Sequence, residues 1–187
     1  LSPAEFIHFG TTKELLQLVT KNVEDYSFLS WSKKVMTTGA EENSDFAAHN
    51  AYIGHAAVIE KDCYIENSYI LDNSVVHSGT IVSNLHLRNV EIPANTVWHG
   101  LTLKDGNSLI RVYGVLDNPK GRLQDNAGFL GTTLSAFVKN NNLSVSDLWN
   151  GKEDYLWFAD LYPVCNSREE AVEFAQIIVK MAKGTAT

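Results

Sequence analysis

The sequence predicts a mainly β protein built on a left-handed parallel β-helix with flanking α-helices. Two observations support this fold class: a six-residue period from Ile53 to Val76, and capped amphipathic segments on either side of it. The period divides this stretch into four blocks, which begin at Ile53, Ile59, Ile65 and Leu71. Neither the 3.6-residue period of a helix nor the two-residue alternation of a single strand produces such blocks. A triangular coil does, because three short strands make one turn of a solenoid and each turn buries its apolar side against the next.

Each block assigns its residues to fixed places in the coil. The first residue points inward, and the second is Gly, Glu or Asp; Gly, Asp and Asn suit tight corners. The pattern is lost at His77 and returns at Ile92, so we expect a bulge, loop or altered corner within residues 77–91. The fifth residue of each block must also fit inside the coil. Tyr69 holds this place in the third block, where it is large for an interior position and is interpreted as the end of a coil.

The sixth positions of the blocks form a second apolar row, which should point outward. This row is predicted to be an interface with a neighbouring domain or subunit, since exposed apolar stripes are usually covered. Its members are Val58, Tyr64, Ile70, Val76 and Val82. An alternative stays open, in which these side chains cover one another and part of the flanking helices.

The N-terminal flank, residues 1–50, is predicted to join a strand and a helix to the rod of residues 51–105. Residues 5–10 read as a short strand that ends in a glycine turn. Residues 11–20 read as a helix, with Leu15, Leu18 and Val19 on one side and Thr11 or Thr12 as N-cap.

The C-terminal flank, residues 106–187, is predicted to be α+β. Residues 108–115 form a strand rich in β-branched residues, followed by a turn at residues 117–121. Residues 132–139 should be helical, and Ser167 and Glu170 form a capping box for a last helix. Its apolar side contains Ala171, Phe174, Ala175, Ile178 and Met181.

Composition excludes several classes of protein. The formal net charge of −7 and the lack of basic clusters argue against nucleic-acid binding. No apolar run approaches the roughly 20 residues of a membrane helix. The two cysteines, Cys63 and Cys165, are too far apart for a thiolate metal motif, which favours a reducing cytoplasm. The first residues, Leu1-Ser2-Pro3, resemble a cut made inside a longer protein.

Local motifs offer little chemistry. The six histidines show no metal-ligand spacing, and no P-loop, dinucleotide-binding glycine motif or nucleophile elbow is present in the sequence. We therefore expect no metal and no catalytic residue. The densest polar group comprises Arg111, Tyr113, Asp117, Asn118 and Lys120. The favoured interpretation is turn stabilisation with Asp117 capping the loop, and the alternative is contact with a phosphorylated or sugar ligand.

Three separated segments resemble one family. Residues 5–14 (EFIHFGTTKE), 112–120 (VYGVLDNPK) and 156–165 (LWFADLYPVC) are similar to the fucose-1-phosphate guanylyltransferase family. They look most like the middle region of its bifunctional L-fucokinase/GDP-fucose pyrophosphorylase members. The segments appear in the expected order, so the resemblance extends over nearly the whole chain.

The resemblance implies a salvage pathway for fucose. L-fucose is phosphorylated with ATP, and the sugar phosphate reacts with GTP to give GDP-fucose and pyrophosphate. A Rossmann-like nucleotidyltransferase domain would precede this chain and a kinase domain would follow it, with GTP, ATP and Mg²⁺ as expected ligands of the full-length enzyme. The glycine-rich transferase loop and the kinase phosphate motif are missing from these 187 residues. The chain is therefore expected to be a non-catalytic scaffold or oligomerisation region, without its own cofactor, that contacts the flanking domains and a second copy of itself.

Two other functions remain open. A hexapeptide acyltransferase would need a histidine as general base on a loop leaving the rod, and His77 or His86 is the nearest candidate. A carbohydrate-binding module would stack sugars on tryptophan, for which the sequence offers Trp31, Trp98, Trp149 and Trp157.

Overall fold

The computed structural model describes residues 10–22, 25, 26, 28, 35–41 and 44–185. The chain forms a mainly β solenoid of about four turns with helices on its outside, as the sequence predicted. Residues 5–9 of the predicted first strand lie outside the described residues. The strands are β1 Val35–Thr38, β2 Ala47–Ile53, β3 Val58–Ile59, β4 Tyr64–Glu66, β5 Tyr69–Ile70, β6 Val75–Val76, β7 Ile81–Ser83, β8 His86–Leu87, β9 Glu91–Ile92, β10 Thr96–Thr102, β11 Ser108–Gly114, β12 Gly128–Phe129 and β13 Thr132–Thr133. The helices are α1 Thr12–Gln17 with a following π-helical turn Leu18–Asn22, α2 Leu134–Asn140, α3 Val145–Trp149, a 3₁₀ helix Leu156–Phe158, and α4 Arg168–Ala182.

Parallel strands stack into three faces. The first face contains the start of β2, then β4, β7 and β10. The second contains the end of β2 with β5 and β8, and the third contains β3, β6 and β9. On the first face Ala47, Tyr64, Ile81 and Val97 are aligned partners, so successive turns are 17, 17 and 16 residues long. Each turn is therefore shorter than three six-residue blocks.

The corners are formed by asparagine, aspartate and glycine in the left-handed backbone conformation. Asn50, Asn67 and Asn84 stack at the first corner, Asn73 and Asn89 at the second, and Asp62, Gly79 and Asn95 at the third. The side-chain amide of Asn50 donates to Oδ1 of Asn67 at 2.7 Å, which links one turn to the next. Asparagine enters this conformation more readily than most residues, so the sequence specifies each corner locally.

The buried interior of the coil matches the predicted row of first positions only at the beginning of that row. Ile53 and Ile65 point inward, but the second face then takes five residues to reach its next interior position, at Ile70. Leu71, which the six-residue blocks placed inside, is half-buried, and Tyr69 points outward.

The side of the coil between Ile65 and Ile70 is five residues long instead of six, so most of the predicted interface row points inward. Ile70, Val76 and Val82 are completely buried inside the coil, so the prediction that they point outward was wrong. Val58 is exposed and Tyr64 is half-buried. The disturbance expected within residues 77–91 is confirmed only as an altered corner. Strands β7 and β8 continue the coil in regular parallel register, and the corner at Asn89 is then one residue shorter than the corner at Asn73.

Helix α1 covers part of the first face. Its Leu16 packs against Ile81, Val97 and Val115, and Tyr64 lies against this cluster. Thr11 is the N-cap, with its hydroxyl accepting from the Glu14 N–H and the Glu14 carboxylate accepting from the Thr11 N–H. The helix was predicted, and Leu15, which the pattern places on its apolar side, is exposed.

The C-terminal region closes the last turn. Strand β11 pairs antiparallel with β10, and α4 packs against β11. Ser167 caps α4 as predicted, although the Glu170 carboxylate accepts from the Asn166 N–H rather than from Ser167. Phe174, from the predicted apolar side, is exposed. Among the described helices, none combines the length and the apolarity that crossing a bilayer requires.

Candidate functional site

A row of polar side chains runs across the outer surface of the first face. His49, Glu66, Ser83, His99 and Arg111 are direct neighbours on successive strands. They face outward because residues 48, 65, 82 and 98 of the same strands are buried and side chains alternate along a strand. Solenoid stacking thus aligns residues that are far apart in the sequence.

Glu66 lies in the middle of this row and is held by hydroxyl groups. Ser83 Oγ donates to Glu66 Oε1 at 2.7 Å, and the Tyr64 hydroxyl donates to Oε2 at 2.9 Å. Burial and this contact with Glu66 raise the pKa of Tyr64 to about 12, so its hydroxyl keeps its proton at neutral pH. The two hydroxyls fix the carboxylate on the sheet.

Arg111, at the end of the row, stacks on an aromatic ring. Its guanidinium carbon lies 5.2 Å from the centroid of the Trp157 ring. Trp157 belongs to the 3₁₀ helix and is held against the preceding turn, since its backbone N–H donates to the Pro119 carbonyl at 2.8 Å. Trp157 remains 57% exposed. The contact between the 3₁₀ helix and the turn at Pro119 therefore places an aromatic face beside the Arg111 guanidinium.

These groups enclose a cavity of about 220 Å³, which we call the Trp157 cleft. Its walls are formed by His99, Arg111, Tyr113, Pro119, Leu156, Trp157, Ala159 and Tyr162. The Tyr162 hydroxyl donates to the Val112 carbonyl at 2.7 Å, and burial raises its pKa, so this ring is a fixed neutral wall. Burial also raises the pKa of Tyr113. The cleft is thus mainly aromatic, with Arg111 and His99 as its nitrogen donors.

The imidazole of His99 is half-buried in this cleft. Burial lowers its pKa, with Arg111 acting in the same direction and Glu66 in the opposite one. The imidazole is therefore mostly neutral near pH 7 and keeps one N–H donor. Within the part of the chain that the structure describes, no hydrogen bond occupies its ring nitrogens.

The structure separates four of the five predicted ligand-contact residues into two pairs. Arg111 and Tyr113 line the Trp157 cleft. Asp117 Oδ2 instead accepts from the Gly114 N–H at 2.6 Å and the Leu130 N–H at 2.8 Å, and burial raises its pKa. Asn118 Oδ1 accepts from the Lys120 N–H at 3.0 Å, which is a local turn bond. Asp117 and Asn118 thus hold the turn together, as the favoured interpretation predicted.

Lys120 lies on the other side of Trp157. It lines a groove of about 590 Å³ that shares Pro119 and Trp157 with the cleft and that also contains Lys13. The two lysines and Arg111 have no carboxylate partner among the described residues, although other cations of the chain do. This region is therefore more positive than the net charge of −7 suggests.

Sequence reasoning did not identify His99, Pro119, Trp157 and Tyr162 as residues of one site. His99 reaches Arg111 only through the β10–β11 register, and Trp157 through the packing of a loop 46 residues further along. A usable signal was the alternation in β11, which places Arg111 and Tyr113 on one side. Of the other described tryptophans, Trp98 and Trp149 are buried.

A second polar cluster lies on another part of the coil. His77 Nδ1 and Nε2 are each 2.9 Å from a carboxylate oxygen, of Glu60 and Glu91 respectively. The hydrogen bonds to Glu91 and Glu60 raise the pKa of His77, and the bond from His77 lowers the pKa of Glu60 to about 2. Both ring nitrogens can donate at once only in the imidazolium form, so this cluster is an ion triad.

Neither histidine considered for acyl transfer lies on a loop leaving the solenoid. His77 is engaged in its triad, and His86 is in β8, stacked on Tyr69 at 4.5 Å and 3.2 Å from Arg168 Nη1. Among the described residues, no group of three His, Cys, Asp or Glu side chains is arranged to hold a metal ion.

Comparison with known proteins identifies the family. The profile described as the fucose pyrophosphorylase domain matches residues 1–167. An L-fucokinase/L-fucose-1-P guanylyltransferase from Bacteroides fragilis is 28% identical over 174 residues, covering 91% of this chain and 18% of the relative. A bifunctional fucokinase/GDP-fucose pyrophosphorylase from Arabidopsis thaliana is 24% identical over 183 residues, covering 88% of this chain and 17% of the relative.

The chain thus spans less than a fifth of the length of these two relatives. No solved structure matches it. The family profile nevertheless extends from the N-terminal flank through the solenoid and the Trp157 cleft. The chain belongs to the fucose pyrophosphorylase domain family.

Proposed function

We propose that this chain is the rigid β-solenoid scaffold of an enzyme that transfers a guanylyl group from GTP to fucose 1-phosphate. The observation that supports this most is the family match over residues 1–167 of a chain folded as a solenoid of about four turns. Stacked turns with apolar interiors form a stiff frame, since each turn is held by its neighbours. Such a frame is suited to fixing the domains that carry the reacting groups.

The names of the relatives support a larger assembly. Both names join a fucokinase to a guanylyltransferase or pyrophosphorylase activity. In our proposal this chain contacts a nucleotidyltransferase domain and a kinase domain, and GTP, ATP and Mg²⁺ bind in those domains. A cytoplasmic location and self-association into a homo-oligomer are further parts of the proposal.

The surface best suited to docking is an aromatic ladder on the second face, formed by Tyr52, Tyr69 and His86. The rings of Tyr52 and Tyr69 are 6.1 Å apart and those of Tyr69 and His86 are 4.5 Å apart. Tyr52 is 40% exposed and Tyr69 is 49% exposed. Aligned aromatic side chains on a rigid sheet bury a large area with little loss of side-chain freedom, which favours contact with another domain. Val58, from the predicted row, is exposed on the neighbouring third face.

Lysine substitutions test the docking role in the full-length enzyme. The double change Tyr52→Lys and Tyr69→Lys removes both exposed rings without altering the interior, and Val145→Lys is the control at an exposed apolar position on α3. We expect the double variant to lose most of its guanylyl transfer and to show a larger radius of gyration in X-ray scattering. The control should keep both properties.

Two outcomes would contradict the proposal. Unchanged transfer and unchanged scattering in the double variant would exclude the aromatic ladder as a docking surface. Release of pyrophosphate from GTP and fucose 1-phosphate by the isolated 187-residue chain would show that the chain is itself catalytic and not a scaffold.

A further inference from the structure

The Trp157 cleft combines aromatic walls with cationic and neutral nitrogen donors, which is the chemistry of a ligand site. We propose that the cleft binds a small organic phosphate. Its phosphoryl group is held by Arg111 and His99, and its ring packs against Trp157. This binding role goes beyond that of a scaffold.

The charge of Arg111 is available to a ligand. Three other cations of the described chain are paired with carboxylates: Lys21 with Asp62, Arg122 with Glu153 and Asp154, and Lys152 with Asp160. Arg111 forms no ion pair with a carboxylate of the described residues, and its guanidinium stacks on the Trp157 ring. A guanidinium oriented by ring stacking keeps its planar set of N–H donors, which fits two oxygens of a phosphoryl group.

The nearest carboxylate in the polar row does not compete for this charge. Glu66 lies two strands away from His99, and both of its oxygens accept hydrogen bonds from the Tyr64 and Ser83 hydroxyls. Asp117 is likewise engaged by two backbone N–H groups. Neither carboxylate forms an ion pair with Arg111, so its charge can meet an anionic ligand.

His99 adds a second donor on the same wall. It is the cross-strand partner of Arg111, and both side chains line the cleft. A neutral imidazole with an unused N–H can donate to a phosphoryl oxygen without adding charge. Adjacent donors of this kind hold the phosphoryl end of a ligand in one orientation.

The size of the cleft limits the ligand. Its volume of about 220 Å³ is below the range of roughly 300–1,000 Å³ that is typical of pockets for drug-sized molecules. One ring bearing a phosphate fits this space better than a complete nucleotide sugar. The exposed face of Trp157 offers a flat apolar surface to the ring, as tryptophan commonly does.

The choice of a sugar phosphate as the ring-bearing ligand rests on the proposed function, whereas the anion site rests on the geometry of the cleft. We would therefore titrate the isolated 187-residue chain by calorimetry with fucose 1-phosphate, inorganic phosphate, L-fucose and GTP. The variants are Arg111→Gln, which removes the guanidinium, and Trp157→Ala, which removes the ring. Arg88→Gln removes an exposed charge from another part of the coil and is the matched control.

We expect fucose 1-phosphate to bind more tightly than inorganic phosphate, L-fucose or GTP. Either cleft variant should weaken its binding by about tenfold or more, the effect of losing one charge-assisted contact or one stacked ring, while Arg88→Gln leaves it unchanged. Circular dichroism and thermal unfolding show whether each variant is folded. If Arg111→Gln is not folded, it is replaced by Arg111→Lys, which keeps the positive charge but lacks the planar set of N–H donors.

Three results would overturn the inference: no binding of any phosphate to the unaltered chain, equal binding by the cleft variants, or equal binding of inorganic and organic phosphate. The first of these, found together with normal GDP-fucose synthesis by the full-length enzyme, would leave the proposed function intact. Binding that depends on Arg111 and Trp157, in a full-length enzyme that makes no GDP-fucose, would support the site and refute the proposed function.

Discussion

Replacing Ile70 by alanine measures the energetic consequence of the five-residue side of the coil. Ile70 is completely buried, and its aligned partners on adjacent turns, Ile53 and Leu87, are also buried. Truncating a fully buried isoleucine costs about 2–5 kcal/mol, and the cost is highest where the surroundings cannot collapse into the cavity. Hydrogen bonds between turns hold this region in place, so we expect about 3–4 kcal/mol, in the middle of that range. For a chain of this size the melting temperature should fall by roughly 6–16 °C.

The neighbouring residue provides the control. Tyr69 is half-exposed and its ring stacks within the aromatic ladder, so Tyr69→Ala should cost about 1 kcal/mol. Urea unfolding of both variants, followed by circular dichroism, gives the difference directly. If Tyr69→Ala is as destabilising as Ile70→Ala, the five-residue side is wrong and the six-residue blocks describe the coil better.

Three further predictions concern polar groups. The raised pKa of His77 means that its stabilising contribution is complete below the unfolded pKa of about 6.5 and is lost as pH rises through the folded value. The lowered pKa of Glu60 means that its contribution is present above about pH 4.5 and is lost as pH falls towards 2. His77→Gln should therefore reduce the free energy of unfolding at pH 5.5 and have little effect at pH 9; an equal loss at both values would exclude the ion triad. Asp117→Ala leaves two N–H groups without acceptors and should cost about 2–5 kcal/mol, whereas Asp117→Asn keeps one acceptor and should cost less, as measured by urea unfolding. Asn67 has a φ of 46°, so Asn67→Gly should be less destabilising than Asn67→Ala in thermal unfolding; the reverse order would refute the role of the corner conformation.

The solenoid could be predicted from the sequence because regularly spaced aliphatic residues occupy its interior positions. The length of each side could not, since Tyr69, Ile70 and Leu71 are consecutive apolar residues and any of them fits a six-residue block. Burial alone decides between them. The signal that distinguishes a 17-residue turn is instead polar: Asn50, Asn67 and Asn84 recur at that spacing because each must adopt a left-handed corner.

The candidate site was predictable only in part, and for a related reason. Arg111 and Tyr113 belong to one strand, so their alternation could be read from adjacent residues. His99 and Trp157 join them through strand pairing and loop packing, which no local pattern specifies. Asp117 was correctly interpreted as a turn residue, because a turn of this kind is built from neighbouring residues.

The reversed direction of β11 also affects how the protein behaves at high concentration. The open end of a parallel coil exposes backbone N–H and C=O groups that a second molecule can extend, which leads to fibrous growth. On the first face β11 runs antiparallel over the last turn, and its own edge is occupied where Ser108 pairs with Cys165 and the Val112 carbonyl accepts from Tyr162. On this face the hairpin therefore leaves little of the last strand edge free to pair with a second molecule.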